Sequence, residues 1–243
     1  YLDHAKKDSK IIDLMYSNNS FMRKLFRSRF WYSGKVIKCD EPRMAILNMG
    51  DQIRSKIEKK LDGISGKKII VYAPTFRNDS EKKWFFWNYS SVVKACQIKF
   101  GGDFVFLIKF HPNTLCSPYC DKSLNETINA SDYPDLQELM AIADVLITDY
   151  SSAMFEFGKT GKPVFLFCPD LKEYVAEDRP FYFKLNDLPF SVSETESALT
   201  KSILEFDDIK YKEKTAIFYK QINFEDHGHG NEEITNIILS KLN

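Results

Sequence analysis

Strand-length apolar runs alternate along this chain with segments whose apolar residues recur every three or four positions, and that alternation constrains the fold more than any other feature. The runs are KIIDLMYS (10–17), KVIKC (35–39), KKIIVYAP (67–74), DFVFLIKF (103–110), DVLITDY (144–150) and KPVFLFCP (162–169). Between them, EPRMAILNMGDQIRSKIEKKL (41–61), NYSSVVKACQIKF (88–100) and YPDLQELMAIA (133–143) carry helical spacing. Pro42 and Pro134 sit near helix starts, where a missing N–H is harmless. Strand, crossover helix and strand in repetition make a parallel α/β sheet. After residue 190 the pattern changes to three helices, 193–206, 209–222 and 231–242, expected as a cap packed back on the sheet.

With 243 residues and 44% apolar composition the chain can build a sizeable core, as one large α/β domain or one lobe of something larger. Lys plus Arg equal Asp plus Glu at 34 each, so the summed charge gives no reason to expect nucleic acid as a partner. Five cysteines without a disulfide-scaffold pattern fit reduced thiols in a cytoplasmic protein. Residues 1–30 hold no apolar leader and no run is long enough to span a bilayer, so any membrane contact is expected to be peripheral or to come from a segment outside this sequence. The stretch SFMRKLFRSRFW (20–31) mixes basic and apolar residues as an anionic surface would require, although solvated charge over a buried stripe is the commoner arrangement. The aromatics WFFWNY (84–89) read as core or domain contact ahead of a membrane surface.

In an open parallel sheet, ligands bind outside the carboxyl ends of the strands. Those ends carry Pro74-Thr75-Phe76-Arg77, His111-Pro112-Asn113, Asp149-Tyr150-Ser151-Ser152 and Cys168-Pro169-Asp170. The serine pair precedes the helical AMFEFGK, so it is an N-cap candidate that leaves the amides of Ser152, Ala153 and Met154 facing the crevice, an end that suits phosphate. By itself Asp-Tyr-Ser-Ser reads first as a plain cap; Arg77 and His111 on neighbouring loops, natural partners of a diphosphate, are what argue for a ligand. Asp149 has a competing role, accepting loop amides at a strand end.

Other chemistries lack their patterns. No G-x-x-x-x-G-K-[ST] or G-x-G-x-x-G is present, and Ser151 lacks the flanking glycines of a nucleophile elbow. Cys116 and Cys120 near His111, and His227 with His229, lack a second ligand pair at structural-zinc spacing, so no metal site is expected.

Taken together, VYAPTFR (71–77), KFHPN (109–113), ITDYSSAMFEF (147–157) and KPVFLFCPDLKEY (162–174) resemble the CDP-glycerol glycerophosphotransferase family, which builds the glycerol-phosphate polymers of teichoic acids and some capsules. The resemblance covers nearly the whole chain. It is weaker at 30–47, where Asp40-Glu41 precede Pro42-Arg43 and Met44-Ala45 replace the family's Asn-Asp, leaving Arg43 without a clear role. The tail FEDHGHGNEEITNII (224–238) sits where the family has an Asp, a Gly and a closing helix. The family's W-H-G-T stretch, whose histidine serves as general base, has no counterpart, and His4 does not match it; its place is expected upstream of Tyr1.

The resemblance implies a Rossmann-like parallel sheet, the C-terminal lobe of a GT-B-type transferase with C-terminal helices, and an active site in the cleft between lobes. It divides the chain into 1–40, the end of a connection with the first βα elements, and 41–243, the donor-binding lobe. It makes His111 and Arg77 catalytic, and Thr75, Asn113, Asp149, Ser151, Ser152 and Asp170 donor-binding. The donor is CDP-glycerol or CDP-ribitol and the acceptor a polyol phosphate or lipid-linked primer; no cofactor or metal is implied. The expected location is cytoplasmic, either free or peripheral on the inner face of the cell membrane. Two alternatives stay open: a catalytically incomplete CDP-alcohol-binding lobe, and a GT-B sugar-nucleotide glycosyltransferase or epimerase, since a Ser-Ser phosphate end would serve a UDP-sugar equally well.

Overall fold

The structure, a computed structural model, describes residues 2–77, 87–111, 127–177 and 181–242. In chain order the elements are α1 (Leu2–Ile11), β1 (Leu14–Ser17), α2 (Ser20–Ser28), β2 (Lys35–Lys38), a 3-10 segment (Pro42–Asn48), α3 (Gly50–Glu58), β3 (Lys68–Ala73), α4 (Tyr89–Phe100) and β4 (Phe104–Ile108). They continue with β5 (Thr127–Asn129), α5 (Leu136–Ile142), β6 (Val145–Thr148), α6 (Ala153–Gly158), β7 (Val164–Phe167) and α7 (Leu171–Glu177). The last are β8 (Ser191–Ser193), α8 (Glu196–Leu204), α9 (Asp208–Gln221) and α10 (Gly230–Leu242). They group into two compact units, residues 49–215 and residues 1–48 with 216–243.

The larger unit holds a six-stranded sheet in the order β5-β4-β3-β6-β7-β8, every pairing parallel. Numbered within the sheet this is the Rossmann order 3-2-1-4-5-6, and its switch point lies between β3 and β6. The inner strands are continuous apolar runs because helices cover both faces. Every residue of β4, β6 and β7 is buried, as are Ile69 to Ala73 of β3. The helices begin where local chemistry places them. Asp135 accepts from the amides of Gln137 and Glu138 to start α5, and Thr195 accepts from Ala198 N to start α8. Gly101, at φ 65°, ends α4. Trp87 and Tyr89 pack with Tyr72 and Phe106, an aromatic cluster inside the unit. Trp84, Phe85 and Phe86 lie outside the described residues.

The smaller unit pairs β1 with β2 in parallel, Leu14 opposite Lys35, and packs α10 on the 3-10 segment. No helix among the described residues is long and apolar enough to cross a membrane.

Three expectations change. The apolar run 10–17 is a strand only from Leu14, because α1 continues through Ile11, which is 78% exposed on the helix surface. The segment 41–61 is two helices: the backbone breaks at Met49 (φ −108°, ψ 18°), and Gly50 then packs so tightly on α5 that a Cβ there would stand 2.4 Å from the Ala141 carbonyl oxygen. Of the three C-terminal helices, α8 packs against α4, β7 and β8, whereas α10 packs on residues 42–48 of its own unit.

Candidate functional site

The ends of β3, β6 and β7 stand side by side, with Ala73 opposite Thr148 and Thr148 opposite Leu166. Thr148 Oγ1 donates to the Ala73 carbonyl at 2.6 Å and locks the first two ends together. One residue on, the Asp149 carboxylate accepts from the Thr75 amide (2.9 and 3.1 Å) and from the Tyr150 amide (2.6 Å), so it organises both loops.

Arg77 completes the arrangement. Its Nε donates to Asp170 Oδ2 at 2.6 Å; its Nη2 donates to Asp170 Oδ1 at 3.2 Å and to Asp149 Oδ2 at 2.8 Å. Its Nη1 donates to the Thr75 carbonyl at 2.8 Å and to Thr75 Oγ1. A guanidinium has five N–H donors, and all five have acceptors here. The Arg77 side chain is 7% exposed and the two carboxylates 3% each. Arg77 Cζ lies 4.8 Å from the ring centroids of both Tyr150 and Tyr174, which stack on each other at 3.8 Å. Phe181 extends the stack beside Tyr150, and the Tyr150 hydroxyl donates to Asp170 Oδ1 at 3.0 Å.

Burial works against the Arg77 charge, but hydrogen bonds and attraction from Asp170 and Asp149 outweigh it and push its pKa up. Burial pushes the Asp149 carboxyl up, opposed first by Arg77 and then by the Thr75 amide. Both rise, with opposite meaning for charge: two carboxylates favour the Arg77 cation, whereas for Asp149 burial outweighs the guanidinium that opposes it. Burial raises the Tyr150 hydroxyl and the Cys168 thiol of the same pocket as well.

The profile of the family "CDP-Glycerol:Poly(glycerophosphate) glycerophosphotransferase" matches residues 3–240. The chain belongs to this family. It is 31% identical over 249 residues to a teichoic acid poly(glycerol phosphate) polymerase of Staphylococcus epidermidis, covering 98% of this chain and 34% of that protein. To a teichoic acid glycerol-phosphate transferase of Staphylococcus aureus it is 29% identical, covering 98% of this chain and 63% of the relative. Among solved structures the wall teichoic acid polymerase TagF superposes with TM-score 0.81 at 28% identity, over 98% of this chain and 60% of TagF. A TagF variant soaked with CDPG matches with the same TM-score, over 59% of its chain. This chain thus spans from a third to under two thirds of the length of these relatives.

Within this family member the remaining expected site residues are placed as follows. Ser151 is half-buried and Ser152 exposed, just after β6. Ser151 Oγ accepts from Ala153 N at 3.2 Å and its carbonyl from Met154 N at 3.3 Å. Two of the three amides expected to face a phosphate are therefore already bound, and α6, only six residues long, adds little dipole. His111 is exposed after β4, its ring 5.9 Å from that of Phe76. Asn113 lies outside the described residues, as do Cys116 and Cys120. Tyr150, Tyr174 and Phe181 went unrecognised as side chains of the site; the signal for Tyr174 was its position one helical turn after Asp170.

The divergent stretch at 40–45 meets the tail inside the smaller unit. Asp40 Oδ2 accepts from the amides of His227 (2.6 Å) and His229 (3.2 Å), while the Asp40 amide donates to Glu233 at 2.9 Å. Asp226 Oδ2 accepts from the Glu41 amide at 2.9 Å and from Asn18 Nδ2 at 3.0 Å. Arg43 Nε is 3.7 Å from Glu41 Oε1 on a half-exposed side chain.

Proposed function

We propose that this chain carries the donor-binding lobe of a GT-B-type transferase that moves glycerol phosphate from CDP-glycerol to a growing glycerol-phosphate polymer, in teichoic acid or capsule synthesis. The observation that supports it is the meeting of the VYAPTFR, ITDYSS and KPVFLFCPD strand ends at the switch point of the sheet, in a chain whose relatives are teichoic acid polymerases and transferases.

In this reaction an acceptor hydroxyl oxygen attacks the β-phosphorus of CDP-glycerol. The new P–O bond forms as the phosphoanhydride bond breaks; CMP leaves with its electron pair, and the hydroxyl proton passes to a general base. Catalysis is chiefly positioning and stabilisation of charge on the phosphoryl oxygens. Thr75, His111, Ser151 and Ser152 supply donors toward the diphosphate. Asp149 holds the loops that carry them. The reaction needs no metal ion; loss of turnover on chelation, restored by one divalent ion, would count against this.

The protein works at the cytoplasmic face of the membrane. Lys24, Arg27 and Arg29, exposed on and just after α2, are close in sequence to Trp31, which is 40% exposed and carries the Lys6 ammonium over its ring, a combination of charge and aromatic area suited to anionic lipid. Co-sedimentation with phosphatidylglycerol vesicles, absent with phosphatidylcholine, tests it.

The deciding experiment follows CMP release and binding heat for the chain with CDP-glycerol, CDP-ribitol and a UDP-sugar, with a glycerol-phosphate primer present. Binding of CDP-glycerol is expected, with CMP release where the general base of the whole enzyme is present, and both are reduced by about 10² in His111→Ala. Binding without CMP release reduces the proposal to a donor-holding lobe; exclusive binding of the UDP-sugar overturns it.

A further inference from the structure

Arg77 reaches from the loop after β3, across the end of β6, to a carboxylate after β7. Strand β6 lies between the other two, so this one side chain ties three adjacent strand ends. All its donors are taken, and it already faces two carboxylates. A phosphate placed on it would bring negative charge to a group with no N–H left to give. In this arrangement Arg77 has no N–H to offer a phosphate, and Asp170 is among the groups that hold it so. Asp170 accepts from Arg77 twice and from the Tyr150 hydroxyl. Tyr150 is followed directly by Ser151 and Ser152. The Asp170 side chain thus holds both the residue that braces Thr75 and the residue that precedes the serine pair.

We infer that Asp170 is a positioning residue: acting through Arg77 and Tyr150, it staples the loops after β3, β6 and β7 and sets the shape of the crevice that receives the donor diphosphate, without touching the donor. This rests on the reading of that crevice as the CDP-glycerol site. The staple and the ligand assignments differ in sign. If Arg77 were a phosphate ligand restrained by a carboxylate, Asp170→Asn would release it and donor affinity would hold or rise. If Asp170 positions, the same substitution weakens donor binding, because the fork to Nε and Nη2 loses its charge and one of its two acceptors.

The test is a double-mutant cycle on the full chain, with Asp170→Asn, Arg77→Lys and the pair, read by calorimetric binding of CDP-glycerol. Asp170→Asn is expected to weaken binding roughly tenfold or more. Arg77→Lys is expected to be no rescue, since an ammonium cannot make the planar fork. The double variant is expected to lose little beyond the worse single one. Wild-type or tighter binding by Asp170→Asn, or losses that multiply in the double variant, overturns the inference.

A ligand-free reading separates this from the donor assignment. Hydrogen exchange at the amides of Thr75 and Tyr150, both held by Asp149, is expected to quicken at least tenfold in Asp170→Asn while Val71 in β3 stays protected. If wild type binds no CDP-glycerol, the donor reading falls, and this exchange alone decides the staple: unchanged protection overturns it. Should Asp170→Asn not fold, Tyr150→Phe keeps the ring stack and removes only the hydroxyl held by Asp170. A several-fold loss of binding is expected, and no loss overturns the inference.

Discussion

Arg77 Nε stands 2.6 Å from Asp170 Oδ2, both side chains almost sealed from solvent, although 93 residues separate them along the chain. A buried ion pair adds little net stability over an apolar equivalent, but removing one partner strands the other. Arg77→Ala leaves two buried carboxylates without a counter-charge, so a loss of about 3–5 kcal/mol is expected. Urea unfolding followed by circular dichroism measures it; a loss below about 1 kcal/mol would mean the carboxylates find water or protons at no cost.

Gly230 starts α10 where no side chain fits. A Cβ there would stand 2.6 Å from the Asp40 carbonyl oxygen and 2.7 Å from Glu41 C and Pro42 N, all backbone atoms. Gly230→Ala must push the two segments apart, at a cost on the order of 1–3 kcal/mol. Asp40→Ala, which frees the amides of His227 and His229, is expected to cost about as much. Thermal melts check both; wild-type melting of Gly230→Ala would show that the clasp yields freely.

Glu138 in α5 accepts from the Lys56 ammonium of α3 and from the Tyr133 hydroxyl, which hold its carboxyl below the ordinary glutamate value. A carboxylate whose pKa is lower folded than unfolded stabilises above the unfolded value and loses that contribution as pH falls through the folded one. The stability gap between wild type and Glu138→Gln should therefore be full at pH 7 and close below about pH 4.3. A gap that widens in acid reverses the sign and refutes the pairing.

Burial, first among the causes, pushes the thiols of Cys39 and Cys96 up to about 12. At pH 8 about one in ten thousand of either is thiolate, and the thiolate is the reactive form. Iodoacetamide followed by peptide mapping should label neither in the native protein and both in urea. Rapid native labelling of either would contradict the packing around it.

Legibility tracked how local each determinant was. The inner strands β3, β4, β6 and β7 could be read because burial on both faces demands unbroken apolar runs. Strands β5 and β8 could not: they have three residues each, lie at the sheet edges, and exist through pairing with Phe106–Ile108 and Phe165–Phe167. Thr75, Asp149 and Asp170 were legible as strand-end residues. That Asp149 accepts the Thr75 and Tyr150 amides was one of two readings open to it, and geometry favours it. The aromatic surround of Arg77 was hidden, since Tyr150, Tyr174 and Phe181 look like ordinary apolar positions until three loops converge.

By itself the sequence determined the parallel α/β class, the inner strands and the residues at their carboxyl ends, because apolar periodicity and turn chemistry act over a few neighbouring residues. The strand order, and with it the partners of Arg77, were decided by tertiary structure alone. Setting β6 between β3 and β7 depends on sheet pairing between distant segments. Only that order brings one guanidinium within hydrogen-bond reach of carboxylates 72 and 93 residues away.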